Sequence, residues 1–144
     1  MAIKINIHFL TDIINSISYY DFDECDLLFA RLDGNDEYEM KLIIRYNLYI
    51  NYLFKPDKYK KIFKPTLQYY LTTEIVDFES IFNDAMVSFD CTKKPKTFFI
   101  WIWEVFFEGE DYLISENELS NYIISNEDSN MPHEYSIHPK VKFH

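Results

Sequence analysis

The chain has 144 residues, 48% of them hydrophobic and 19% aromatic, with 24 Asp and Glu against 14 Lys and Arg and a formal net charge of -10. The 13 Phe, 12 Tyr and 2 Trp exclude a disordered tail, because chains that stay unfolded lack the apolar area to offset conformational entropy. Direct nucleic-acid binding is disfavoured by the charge: it works through clustered Lys and Arg that displace counterions, and Arg31 and Arg45 are the only arginines.

A chain of this length buries roughly 70% of its unfolded surface, so residues 1–144 are expected to form a single acidic globular domain. The charge balance disfavours an anionic membrane surface and favours a basic partner, although net negative charge also serves plain solubility. Near the N-terminus, Lys4, Asn6 and His8 interrupt the apolar residues where a secretion signal needs a continuous apolar core. The longest apolar run, Phe98 to Phe107, contains Glu104 and is about half of a membrane span. The expected location is therefore cytoplasmic, with Cys25 and Cys91 reduced and buried. The carboxylates of Asp21, Asp23, Glu24 and Asp26 around Cys25 disfavour a catalytic thiolate.

In chain order, Ile3, Ile5 and Ile7 alternate with polar residues, the period of a half-buried strand. Thr11 is a candidate N-cap for a helix over 12–20, where Ile13, Ile14, Ile17 and Tyr20 have helical spacing. The 21–32 segment, acidic and then apolar, leads into the turn signal Asp33-Gly34-Asn35-Asp36, so the spacing predicts strand, turn and strand. Apolar residues then occupy every even position from Tyr38 to Ile50, which predicts a long strand, with a helix through Met40, Ile43, Ile44 and Asn47 as the alternative.

Residues 55–65 are bounded by Pro56 and Pro65 and read as a solvated loop or a single helical turn. Its 55–64 portion carries five Lys and one Asp, +4, leaving -14 for the remainder. From Thr73 to Phe89 the apolar residues recur at three- and four-residue steps and predict the clearest helix in the chain. A connector over 91–96 leads to Thr97–Phe107, apolar on both faces and read as a central strand. Glu108-Gly109-Glu110-Asp111 makes a turn, a return strand starts at Tyr112, and Ser115-x-x-Glu118 has capping-box form for a helix over 116–124. Tyr135 to Phe143 predicts an edge strand broken by Pro139. The resulting fold class is α+β: a mainly antiparallel sheet with two or three helices packed on one side.

The chemistry sought in the motifs is mostly missing. Two glycines, Gly34 and Gly109, cannot build a P-loop or a dinucleotide fingerprint, and no Gly-x-Ser-x-Gly elbow occurs. His133 and His138 are one residue too far apart for a zinc-protease helix, which Pro132 and Pro139 also disfavour. The EF-hand-like starts at Asp21 and Asp33 have Asp26 and Tyr38 where the loop needs glycine. No cofactor, no metal and no enzymatic activity are expected.

Acidic residues cluster in two places: eight carboxylates and one Arg in 21–40, and eight carboxylates without Lys or Arg in 104–128. The partner-binding residues expected from them are Asp21, Asp23, Glu24, Asp26, Asp33, Asp36, Glu37, Glu104, Glu108, Glu110, Asp111, Glu116 and Glu118. The aromatic run Phe98–Phe107 with Glu108-Gly109-Glu110-Asp111 resembles a segment of some immunity proteins of bacterial contact-dependent growth inhibition systems. That resemblance implies a role and no set of contact residues: a small cytoplasmic inhibitor that binds a basic toxin domain, commonly a nuclease. The competing expectations are a ligand-binding domain or enzyme with a helix–sheet pocket, and a phage nucleic-acid mimic.

Overall fold

The structure, a computed structural model, describes residues 2–15, 34–85 and 95–125. It overturns the expected antiparallel sheet: 67% of the described residues are helical and 6% are in strands. The strand at the N-terminus is present, β1 (Ile3–Ile5), and it pairs in parallel with β2 (Tyr122–Ile124). The ladder is extended by Ile3 N–H donating to the Asn121 carbonyl and Ser125 N–H to that of Ile5.

Helix α1 (His8–Ile14) begins before Thr11. Its first turn is started by Asn6, whose Oδ1 accepts from His8 N–H at 3.0 Å and whose own N–H donates to Thr66 Oγ1 at 3.0 Å. Thr66 in turn donates to the Ile62 carbonyl, so a buried polar chain ties the β1 exit to the middle of a later helix.

The predicted long strand from Tyr38 is a helix in three parts: α2 (Glu37–Ile43), a π turn (Ile44–Leu48) and α3 (Tyr49–Leu53). Asp36 caps it, its Oδ1 accepting from Glu39 N–H at 3.0 Å. The even-numbered apolar residues do not share a face. Met40, Ile44, Leu48 and Tyr52 are buried, whereas Tyr38, Leu42, Tyr46, Ile50 and Phe54 are exposed. Four residues of α-helix overshoot one turn by about 40°, and the wider π turn takes up part of the excess that accumulates along the element. A period of four thus holds along the element, and a period of two is its subharmonic.

The lysine-rich segment is also helical. Helix α4 (Asp57–Thr73) runs through Pro65, which forfeits a backbone donor. An interior Pro costs about 3 kcal/mol; burial of Tyr59, Ile62, Phe63, Leu67, Tyr70 and Leu71 along one face outweighs it. Glu74 closes the helix in the left-handed conformation, φ 55°.

Helix α5 (Phe78–Ala85) lies within the predicted helix but starts five residues after Thr73. The expected central strand is helix α6 (Pro95–Phe106), central in fact but helical, contacting α2, the π turn, α4 and α5. Phe98, Phe99, Trp101, Ile102, Trp103, Val105 and Phe106 are all buried, while the line Lys96, Ile100 and Glu104 reaches the surface. The turn after it occurs where expected, with Gly109 at φ 85°. No return strand follows at Tyr112; the chain runs without regular structure to α7 (Glu116–Leu119), shorter than predicted. The expected strands over 21–32 and 135–143 lie outside the described residues, as do Cys25, Cys91, His133 and His138.

Ring contacts knit the helices together. Tyr52, Phe63 and Phe106, from α3, α4 and α6, form a triangle with centroid separations of 5.2, 4.9 and 5.6 Å. Phe82 of α5 meets Phe98 edge-on at 5.0 Å, and Phe78 meets Phe99 at 5.1 Å. Each such pair adds about 0.5–1.5 kcal/mol to the burial itself. This core fixes the α2–α6 spacing on which the surface described next depends.

Candidate functional site

The outer side of the α2–α6 contact is an open groove of about 510 Å³, lined by Glu37, Lys41, Arg45, Glu104, Val105, Glu108, Gly109 and Glu110. Its first wall follows from helical geometry: Glu37, Lys41 and Arg45 are successive i, i+4 positions. Its second wall is the last turn of α6 and the glycine turn beyond it. The two acidic segments of the sequence therefore meet here, 37 with 104–110, at one charged seam.

Lys41 holds the seam. Its Nζ lies 2.7 Å from Glu37 and 2.8 Å from Glu104. Partial burial would lower its pKa, but the hydrogen bonds to Glu104 and Glu37 outweigh that and hold it above the ordinary lysine value. Glu110 is taken by Lys64 at 2.7 Å, and the Glu110 carbonyl accepts from Trp103 Nε1 at 2.7 Å. Lys64 also stands 4.8 Å from the centre of the Phe107 ring. Glu108 and Arg45 make no ion pair among the described residues, so they are the charges the groove presents most freely.

The other expected contact residues have different placements. Asp36 is spent as the cap of α2. Asp111 Oδ1 accepts from Leu113 N–H at 3.0 Å and shapes the turn, and Glu118 accepts from Ser115 Oγ at 3.0 Å. Glu116 is exposed in the first turn of α7 and, with Glu118, is outside the groove lining. Asp21, Asp23, Glu24, Asp26 and Asp33 lie outside the described residues.

Sequence reasoning missed the cations. Lys41 and Arg45 were set apart by the strand reading, although their i, i+4 spacing from Glu37 is the helical signal that finds them. The lysines of 55–64 are likewise partly folded onto the core. Lys55 pairs with Asp12 at 3.5 Å and stands 4.9 Å from the centre of the Tyr59 ring, and Lys60 lies 5.6 Å from that of Tyr52. Among the described residues no cluster of His, Cys, Asp and Glu has the form of a metal site, and no helix is long and apolar enough to cross a membrane.

Comparison with known proteins finds no match to a protein family, to a curated protein or to a solved structure.

Proposed function

We propose that this chain is an acidic protein-binding domain that neutralises a basic partner in the cytoplasm, in the manner of an immunity protein acting on a toxin domain such as a nuclease. The observation that supports this reading is the convergence of carboxylates from the two acidic segments on one open groove, with Glu108 unpaired there among the described residues. The segment that resembles immunity proteins, Phe98 to Asp111, supplies one wall of that groove.

The physical role of each group follows from its placement. A nuclease must offer Lys, Arg or His to phosphate, and carboxylates can occupy those groups. Glu108 receives a partner cation first, while Glu104 and Glu110 add field from positions held by Lys41 and Lys64. Arg45 donates to a partner carboxylate at the opposite side and fixes orientation. Steering by such a surface raises association toward about 10⁸–10⁹ M⁻¹s⁻¹ at low salt.

The test is affinity capture from the source strain with elution at rising salt, followed by kinetics with the recovered protein. One stoichiometric basic protein whose toxicity is relieved by co-expression is expected, with Glu108→Lys slowing association about tenfold at low salt. Unchanged kinetics and protection would remove the groove from the interface. Recovery of no protein partner would overturn the inhibitor reading and direct the search to small molecules.

A further inference from the structure

The outer face of the α2–π–α3 helix carries a stripe that the groove does not use: Tyr38, Leu42, Tyr46, Ile50 and Phe54. They are 73%, 39%, 71%, 43% and 76% exposed, a continuous apolar line where a solvated helix has polar residues. Over these sixteen steps of the chain the stripe is about 24 Å long. The π turn offsets part of the roughly 160° by which sixteen α-helical residues would drift from a period of four.

The order of side chains identifies the occupant. Read in either direction the stripe is aromatic, aliphatic, aromatic, aliphatic, aromatic. An isologous contact accommodates this order with like classes facing like, since residue i meets j and j meets i across a two-fold axis. Antiparallel pairing sets Tyr38 against Phe54, Leu42 against Ile50, and Tyr46 against itself on the axis.

Charge points the same way. The N-terminal end of the helix carries Glu39 and Glu37, the latter also paired with Lys41. Just beyond its C-terminal end lie Lys55, which also pairs with Asp12 at 3.5 Å, and the Lys60 ammonium, which donates to the Leu53 carbonyl at 3.2 Å. Antiparallel copies place the acidic end of each beside the basic end of the other and align opposed helix dipoles. Parallel copies would oppose like charges. The stripe offers on the order of 600 Å² per copy, near the roughly 800 Å² per partner of a standard interface.

We propose that a second copy of this chain covers the stripe, forming a two-fold dimer in which the 37–53 helices pack antiparallel about Tyr46. The groove lies along the flank of this helix, so each dimer carries two grooves at the rim of the contact. The pairing stands whether or not the grooves bind a basic partner.

The experiment is light scattering and sedimentation on the full chain over concentrations up to about 0.5 mM, the range in which a modest interface associates. The expected mass rises from 17.5 kDa to twice that value. Tyr46→Glu faces two carboxylates across the axis and should weaken dimerisation at least about tenfold, with an unchanged circular dichroism spectrum. Register is read in a Cys25→Ala, Cys91→Ala background. Tyr38→Cys chains mixed with Phe54→Cys chains should cross-link to each other, and Tyr38→Cys chains alone should not. A wild-type chain that stays monomeric, a dimer indifferent to Tyr46→Glu, or preferential 38–38 cross-linking would each overturn the proposal. The first of these would leave the stripe to a different protein.

Discussion

Replacing Tyr59 with Phe removes one oxygen and nothing else, and the expected cost follows from where that oxygen sits. Tyr59 is fully buried, and its hydroxyl donates to Asp12 Oδ2 at 2.6 Å, joining α4 to α1. Lys55 approaches the same oxygen at 3.5 Å. The ring contacts, 4.9 Å to Phe9 and 6.2 Å to Phe63, survive the substitution. A hydrogen bond to a charged acceptor contributes about 1.5–3 kcal/mol, so Tyr59→Phe should lower stability by that amount. For a chain of this size the thermal midpoint should fall by about 4–10 °C. Urea unfolding followed by circular dichroism measures it, and a cycle with Asp12→Ala should return a coupling of about 1–2 kcal/mol. The substitution also discriminates between two conformations of the lysine-rich segment. In a solvated loop between Pro56 and Pro65, Tyr59 would be exposed and the change would cost less than about 0.5 kcal/mol. A value in that range, or a coupling near zero, would refute the helical packing of α4.

Phe63→Ala removes the α4 corner of the Tyr52–Phe63–Phe106 triangle and should cost about 3–5 kcal/mol by chemical denaturation, with loss of near-ultraviolet ellipticity. Stability should also fall in alkali. Burial, reinforced by Tyr49, pushes the Tyr52 hydroxyl up to about 12, and burial followed by the Asp12 charge raises Tyr59 well above its ordinary value. Both groups hold their protons more tightly folded than unfolded. Their contribution is therefore intact below about pH 10 and lost as pH rises toward 12, by up to about 3 kcal/mol for Tyr52. Tyr52→Phe should flatten that decline, and an equally steep decline in the variant would contradict the assignment. Lys41→Met should cost no more than about 1 kcal/mol, because the pairs it breaks are largely solvated, while its groove becomes more negative. Salt titration of partner association should then steepen relative to wild type.

The candidate site was legible in part. Charge density alone picked out Glu37, Glu104, Glu108 and Glu110, which the fold brings to one groove. It equally picked out Asp36 and Asp111, whose carboxylates are occupied by local backbone N–H groups. Composition counts charges, whereas capping and turn geometry decide which of them remain to meet a partner. Lys64 is the converse case: it neutralises Glu110 from 46 residues away, a distance at which sequence pattern carries no signal.

What the sequence by itself determined is a large aromatic core, an N-terminal strand, the turn at Gly109 and an uneven charge distribution, since each depends on composition or on local backbone preference. Only tertiary structure decided the fold class. The Thr97–Phe107 run is apolar but for Thr97 and Glu104 and satisfies a buried strand or a buried helix equally; neighbours on several sides selected the helix. The even-numbered series from Tyr38 matched a strand because a helix with a π turn repeats every four residues, twice the strand period. Packing of Met40, Ile44, Leu48 and Tyr52 against the core resolved that ambiguity, and in doing so turned the alternate set, Tyr38 through Phe54, toward solvent. Pro65 shows the same order of effects: a local cost of about 3 kcal/mol was overruled by the apolar face it helps to bury.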